Sequence, residues 1–251
     1  MITNRSPSID IPISTLNDTG LCDEFLKLCT WLEAKMACIP MIKQLSNIWP
    51  SSLSAWDYTD AYIFASAQNY PRMQKNGHGQ TEIMFHDDVF PEPVSTIRLG
   101  RLYNIPAILP AALYHLSRID SSSDYNKMHT EPTRSDMDSQ QRLSAGLRSA
   151  RWALLTPKDH QVLAAFKEYV QSCLTKLAAE SSPHVLCRSG MERTYLDICR
   201  SSVETRDVLR ELKLGFYKPH RICNSCIIHG RKVTSSMRRD IWDQLAVILG
   251  L

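Results

Sequence analysis

Apolar residues recur along this chain at steps of three and four, and that spacing constrains the fold more than any other feature. Val233, Met237, Ile241, Leu245 and Ile248 keep the pattern over several turns. A helix with about 3.6 residues per turn brings such positions onto one face, whereas a half-buried strand needs alternation of period two, which is hardly sustained anywhere. Leu21, Phe25, Leu28 and Leu32 repeat the spacing behind Asp23 and Glu24, charges that suit a helix N-terminus. The expected fold class is therefore mainly α: a helical bundle, or two small helical subdomains joined by a polar linker.

Prolines and polar runs divide these helices. Pro40 reads as the first residue of a short helix with Met41, Leu45 and Ile48 on its apolar face, and Trp49-Pro50-Ser51-Ser52 ends it and caps the next. Residues 70–93 hold three prolines and two glycines and read as a connecting loop. Residues 94–103 are helical in texture, with apolar positions spread too widely for one stripe, so that helix packs on more than one side. Leu109, Leu113 and Leu116 define an amphipathic helix from which His115 points away, into solvent. Residues 120–141 offer only Tyr125, Met128 and Met137 for burial, too little to offset ordering entropy, and predict a mobile linker.

Beyond it, Thr156-Pro157-Lys158-Asp159 combines a cap, a first-turn proline and an early carboxylate. Val162, Phe166, Tyr169, Cys173 and Leu177 follow as an apolar stripe, which makes Cys173 a core residue. Ser189 and Glu192 have capping-box spacing and predict a helix over about residues 190–212. The expected organisation is a polar tail over 1–20, a helical region over 21–119, a mobile linker over 120–147 and a second helical region over 148–251.

A formal charge of +3 on 251 residues does not by itself mark a nucleic-acid or membrane partner. The first twenty residues lack the apolar stretch of a secretory signal, and the apolar run near residues 105–116 is broken by Pro106, Pro110 and His115. The expected location is cytoplasmic or nuclear, where the eight cysteines serve as thiols or metal ligands, not disulfides. Cys22, Cys29 and Cys38 read as small buried apolar residues.

Cys223-Asn224-Ser225-Cys226 has metal-ligand spacing, because two intervening residues let both thiolates face one tetrahedral ion. His184 and Cys187, with the same gap, are the expected completing pair for a structural zinc ion; His220, His229 and Cys199 compete, and the alternative is that all are ordinary thiols. No βαβ pattern surrounds the Cys223/Cys226 pair, which weighs against a redox role for it. His86-Asp87-Asp88 reads as a solvated loop. No glycine-rich phosphate loop, nucleophile elbow or zinc-protease helix is present, so no catalytic residue is assigned and an enzyme is not expected. Arg231, Lys232, Arg238 and Arg239 make the stretch after the pair basic; the simple reading is the solvated face of an amphipathic helix, the alternative a zinc-supported nucleic-acid binder.

Several segments together resemble the BTB/POZ-related family expanded in mushroom-forming fungi. They are residues 45–57 with Trp49-Pro50 and Trp56-Asp57, residues 97–114 with Arg98-Leu99-Gly100-Arg101-Leu102 and Pro106, residues 148–155 around Arg151-Trp152, the Cys223/Cys226 pair, and Ile241-Trp242 through Gly250-Leu251. Ala246 departs from the proline usual there. The resemblance runs from about Leu21 to Leu251. In that family a BTB domain of roughly a hundred residues would come first, and here only about twenty mostly polar residues precede Leu21. The resemblance thus implies the helical region that follows a BTB domain, without BTB-type dimerisation or cullin docking. It implies a non-enzymatic protein–protein interaction module of unknown partner; a nucleic-acid binder is the second class and an unrecognised enzyme the third.

Overall fold

A computed structural model describes residues 35–68, 72–75, 81–84, 92–129, 148–217 and 222–251, with Glu24, Lys27, Asp87 and Met137. The described chain is mainly helical. It forms two compact units, residues 1–116 with 120–155, and residues 117–119 with 156–251. Cys22, Cys29 and the apolar repeat at Leu21, Phe25, Leu28 and Leu32 lie outside the described residues.

In the first unit, α1 (Lys35–Ile48) runs through Pro40 instead of starting there. Proline removes one helix hydrogen bond and crowds the carbonyl four residues back, but burial of Met41, Leu45 and Trp49 on one face carries the helix past it. Ser52 then receives the Ala55 N–H at 3.3 Å and starts α2 (Leu53–Gln68), as the serine pattern predicted. The loop expected over residues 70–93 instead contains an antiparallel hairpin, β1 (Arg72–Lys75) and β2 (Thr81–Met84), with Arg72 opposite Met84 and Lys75 opposite Thr81. Strands of four residues are too short to show alternation; Asn76-Gly77 between them was the available turn signal. These are the only paired strands among the described residues.

Glu92 caps α3 (Pro93–Leu102), its carboxylate accepting the Val94 and Ser95 N–H groups at 2.9 and 2.7 Å. The helix is buried at Val94, Ile97, Leu99 and Gly100, on more than one side as expected. A single turn of 3-10 helix, Pro106–Ile108, packs against α1 and α3 and leads into α4 (Leu109–Ser117). Every residue of α4 from Leu109 to Leu116 is buried, so it is a central helix and not an amphipathic one. His115, expected in solvent, is 3% exposed and lies against Trp49 and Trp56, with ring centroids 5.7 and 6.3 Å away.

The linker expected over residues 120–147 starts folded. Asp124 accepts the Lys127 N–H at the head of α5 (Tyr125–His129), Met128 is buried, and residues 123–125 exchange backbone hydrogen bonds with Ala150. Residues 130–136 and 138–147 lie outside the described residues, and the boundary between units falls at Leu155/Thr156.

Among the described residues the second unit contains four α-helices: α6 (Pro157–Ala178), α7 (Arg188–Thr205), α8 (Val208–Leu214) and α9 (Asn224–Leu249). α6 packs on α7 and α9, and α8 packs on the same two. Thr156 caps the helix as expected and with Asp159 closes a capping box, and Phe166, Cys173 and Leu177 are buried with Leu163 and Leu174. α7 begins at Arg188, without the Ser189/Glu192 box, because a 3-10 turn, Val185–Cys187, feeds straight into it. The helix predicted over 190–212 breaks at Arg206, which takes a left-handed φ of 56°; Asp207 then caps α8 and pairs with Arg118 at 2.7 Å.

On α9 the buried residues are Cys226, Gly230, Thr234, Arg238, Ile241, Trp242 and Leu245, while Val233, Met237 and Ile248 of the expected stripe are only half-buried. Gly230 permits a close approach: a Cβ there would enter the Phe216 ring, 2.8 Å from Cε2 and nearer still to Cζ and Cε1.

Candidate metal centre

Two short segments of the second unit, far apart in sequence, each present a ligand pair. After α6 the chain turns at Ser182, whose hydroxyl donates to the His184 carbonyl at 2.8 Å and accepts the His184 N–H at 3.2 Å. The Cys187 N–H returns to the His184 carbonyl at 3.0 Å, closing the 3-10 turn that sets both side chains on one side. The second pair belongs to the start of α9, where Cys223 is the N-cap and Cys226 lies in the first turn.

The ligand atoms of His184, Cys187, Cys223 and Cys226 all lie within 4.8 Å of one another. His184 Nδ1 is 3.2 Å from Cys223 Sγ, and the Cys223 N–H donates to Cys187 Sγ at 3.4 Å. Ser182 Oγ stands 3.7 Å from Cys226 Sγ. Cys226 is 0% exposed and Cys187 is buried, while His184 and Cys223 face solvent, so one side of the cluster is sealed by the helix core and the other is open. Three sulfurs and one imidazole nitrogen converging in this way could hold a metal ion.

The electrostatics of the pairs differ. The backbone N–H of Cys226 acts most strongly on Cys223, followed by His184, and together with the neighbouring thiols they bring the Cys223 thiol down to about 6. That N–H does not close a full capping hydrogen bond. Cys187 moves the other way: the Cys223 N–H pulls it down, but burial and the Cys223 and Cys226 thiols push it up further.

The competing ligands are elsewhere. Cys199 donates to the Leu174 carbonyl, His229 lies 3.8 Å from Glu180, and His220 is outside the described residues. Cys173 is core, as expected, and burial raises its thiol and that of Cys199.

Three of the four residues of the basic stretch, Arg231, Lys232 and Arg239, are exposed as expected of a solvated helix face, and Arg238 is the exception. Arg238 is buried, with Nε donating to the Leu209 carbonyl at 2.8 Å, and Arg231 reaches the Phe216 carbonyl and lies over the Tyr217 ring.

Asp87, expected in a solvated loop, is 2% exposed. Its carboxylate accepts the Ser149 N–H at 3.1 Å and the Ser149 hydroxyl, meets His129 Nε2 at 3.0 Å, and pairs with Arg148 at 3.3 Å. Tyr125 stacks on His129 and carries the Arg151 guanidinium on its ring. Serine and histidine both bond the aspartate and no bond between them is formed through it, so the group is a buried anchor and lacks the relay order of a nucleophilic triad. His86 and Asp88 lie outside the described residues. No protein-family model matches the chain, and neither a curated protein nor a solved structure is detectably similar to it.

Proposed function

We propose that the second unit is a helical protein-binding module fastened by a structural zinc ion on His184, Cys187, Cys223 and Cys226. The observation that carries the proposal is the convergence of four ligand atoms from two distant segments. Tetrahedral zinc, with bonds of about 2.3 Å to sulfur and about 2.1 Å to nitrogen, sets its ligand atoms about 3.5–3.8 Å apart, so the widest 4.8 Å separation must contract by about 1 Å. Four protein ligands leave no position for a reactive water, so the ion is structural and the protein is read as non-enzymatic.

Between the first two ligands, Val185 and Leu186 are 75% and 97% exposed. A metal-fixed turn holding two apolar side chains in water suits protein recognition. Engagement of Arg231 and Arg238 within the unit counts against the nucleic-acid alternative, which needs basic side chains gathered on one surface. Kinship with the helical region following a BTB domain belongs to the same proposal, as does a cytoplasmic or nuclear location. Among the described residues no helix is long and apolar enough to cross a membrane.

Metal analysis of protein purified under reducing, zinc-replete conditions tests the centre: one zinc per chain is expected, and Cys226→Ser should lose it. Equal zinc in both proteins removes Cys226 from the site. Affinity capture from the native host, wild type beside Leu186→Asp, tests the surface; identical partner sets would count against the exposed turn.

A further inference from the structure

Cys223 and Cys226 differ in the respect that decides thiol chemistry. Cys223 is exposed at the cap of α9, and Cys226 is buried one turn inward. An α-helix rises about 1.5 Å per residue on a radius of about 2.3 Å, which places the Cα atoms of residues three apart about 5 Å from each other. Disulfides span Cα separations of roughly 4.4–6.8 Å, so this pair can close with side-chain motion alone. Cys187 is placed differently: it sits on another segment, buried, with its sulfur held by the Cys223 N–H.

We propose that Cys223 is an oxidation site for hydroperoxides, and that its disulfide with Cys226 excludes the metal. For the displaced ion the inference rests on the zinc reading above; for the thiol chemistry it does not. The exposed Cys223 sulfur, as thiolate, attacks one peroxide oxygen. An S–O bond forms, the O–O bond breaks, the second oxygen leaves as hydroxide, and Cys223 becomes a sulfenic acid. The Cys226 sulfur, as thiolate, then attacks Cys223 Sγ from within: the S–S bond forms, the S–O bond breaks and a second hydroxide leaves. Two electrons have passed from the sulfurs to the peroxide. His184 and Cys187 are left as a pair, too few for a closed tetrahedral site, and the ion departs. A thiol reductant reverses the change.

Trypsin separates the candidate disulfides. Cys223 and Cys226 share the fragment 222–231, whereas Cys187 lies in fragment 177–188. The full chain, reduced and zinc-loaded, is treated with hydrogen peroxide beside a chromogenic zinc chelator. Expected is loss of one zinc and two thiols per chain, with fragment 222–231 lacking both thiol hydrogens, and recovery of metal binding after dithiothreitol. In Cys226→Ser the sulfenic acid on Cys223 should be trapped by dimedone. Retention of zinc by oxidised protein, release with an open 222–231 fragment, or linkage of 222–231 to 177–188 overturns the proposal. If the reduced protein carries no zinc, the zinc reading alone fails; peroxide must still close fragment 222–231, and an open fragment overturns the inference.

Discussion

Replacing Gly230 by alanine sets two opposite effects against each other inside α9. Alanine in a helix interior is favoured over glycine by about 1 kcal/mol, so on an open face the change would stabilise. Here the added methyl enters the Phe216 ring, 2.8 Å from Cε2 and closer to two other ring atoms. Phe216 is buried and stands edge-on to Tyr195, with centroids 5.6 Å apart, so it has no free direction in which to yield. Overpacking of this kind costs roughly 1–3 kcal/mol, and disturbing the ring pair adds about 0.5–1.5 kcal/mol. The steric cost exceeds the helix gain, and Gly230→Ala should destabilise the second unit by about 2 kcal/mol. Urea denaturation followed by circular dichroism, with amide exchange in α9 to identify the unit, measures it. In a Phe216→Leu background the methyl finds room, and its cost should shrink to about 0.5 kcal/mol or become a gain. A Gly230→Ala protein as stable as wild type, or an undiminished cost beside the smaller leucine side chain, would refute the close-approach argument.

Asp87→Ala takes the buried ion-pair partner from Arg148 and the acceptor from the Ser149 N–H, and should cost the first unit about 3–5 kcal/mol; a loss of unfolding free energy in urea below about 1 kcal/mol would mean solvent replaces the carboxylate. Removing zinc frees a loop in which Cys187 and Cys223 are 36 residues apart, worth about 4 kcal/mol of closure entropy. Denaturation with and without a chelator checks this, and unchanged stability in protein shown to hold zinc would count against the staple. In metal-free protein at pH 7, Cys223 should react with iodoacetamide before Cys173 and Cys199, because its thiol lies at about 6 while burial raises theirs. Its rate should fall as pH drops through 6, and equal labelling of the three at pH 7 would contradict the assignment.

Signals that act within one helical turn were legible in the sequence. The Thr156/Asp159 box closes over three residues, and the Ser52 cap is equally local. The same holds for each ligand pair, since the two-residue gap in His184/Cys187 and Cys223/Cys226 already sets both side chains on one side; their meeting depended on α7 folding back, which capping and period only outlined. What stayed hidden was decided by partners far along the chain. Asp87 meets His129 and Ser149, 42 and 62 residues away, and nothing in His86-Asp87-Asp88 announces that burial. His115 breaks the apolar stripe on paper, yet α4 is covered all round, so no face of it was left for solvent. Arg238 likewise leaves the expected polar face because one carbonyl of α8 lies within its reach.

The division of the four ligand side chains between two segments has a consequence for how the protein is made. A ribosome adds about 5–20 residues per second, so Cys223 emerges about two to seven seconds after Cys187, the 36-residue interval holding all of α7 and α8. During that interval His184 and Cys187 form half a site, which cannot enclose an ion. Capture must wait for the first turn of α9, and by then α6, α7 and α8 have been synthesised. On the zinc reading proposed above, metal loading is a late step of assembly, and a cell short of zinc would accumulate chains whose helices are complete but whose two segments lack the shared ion.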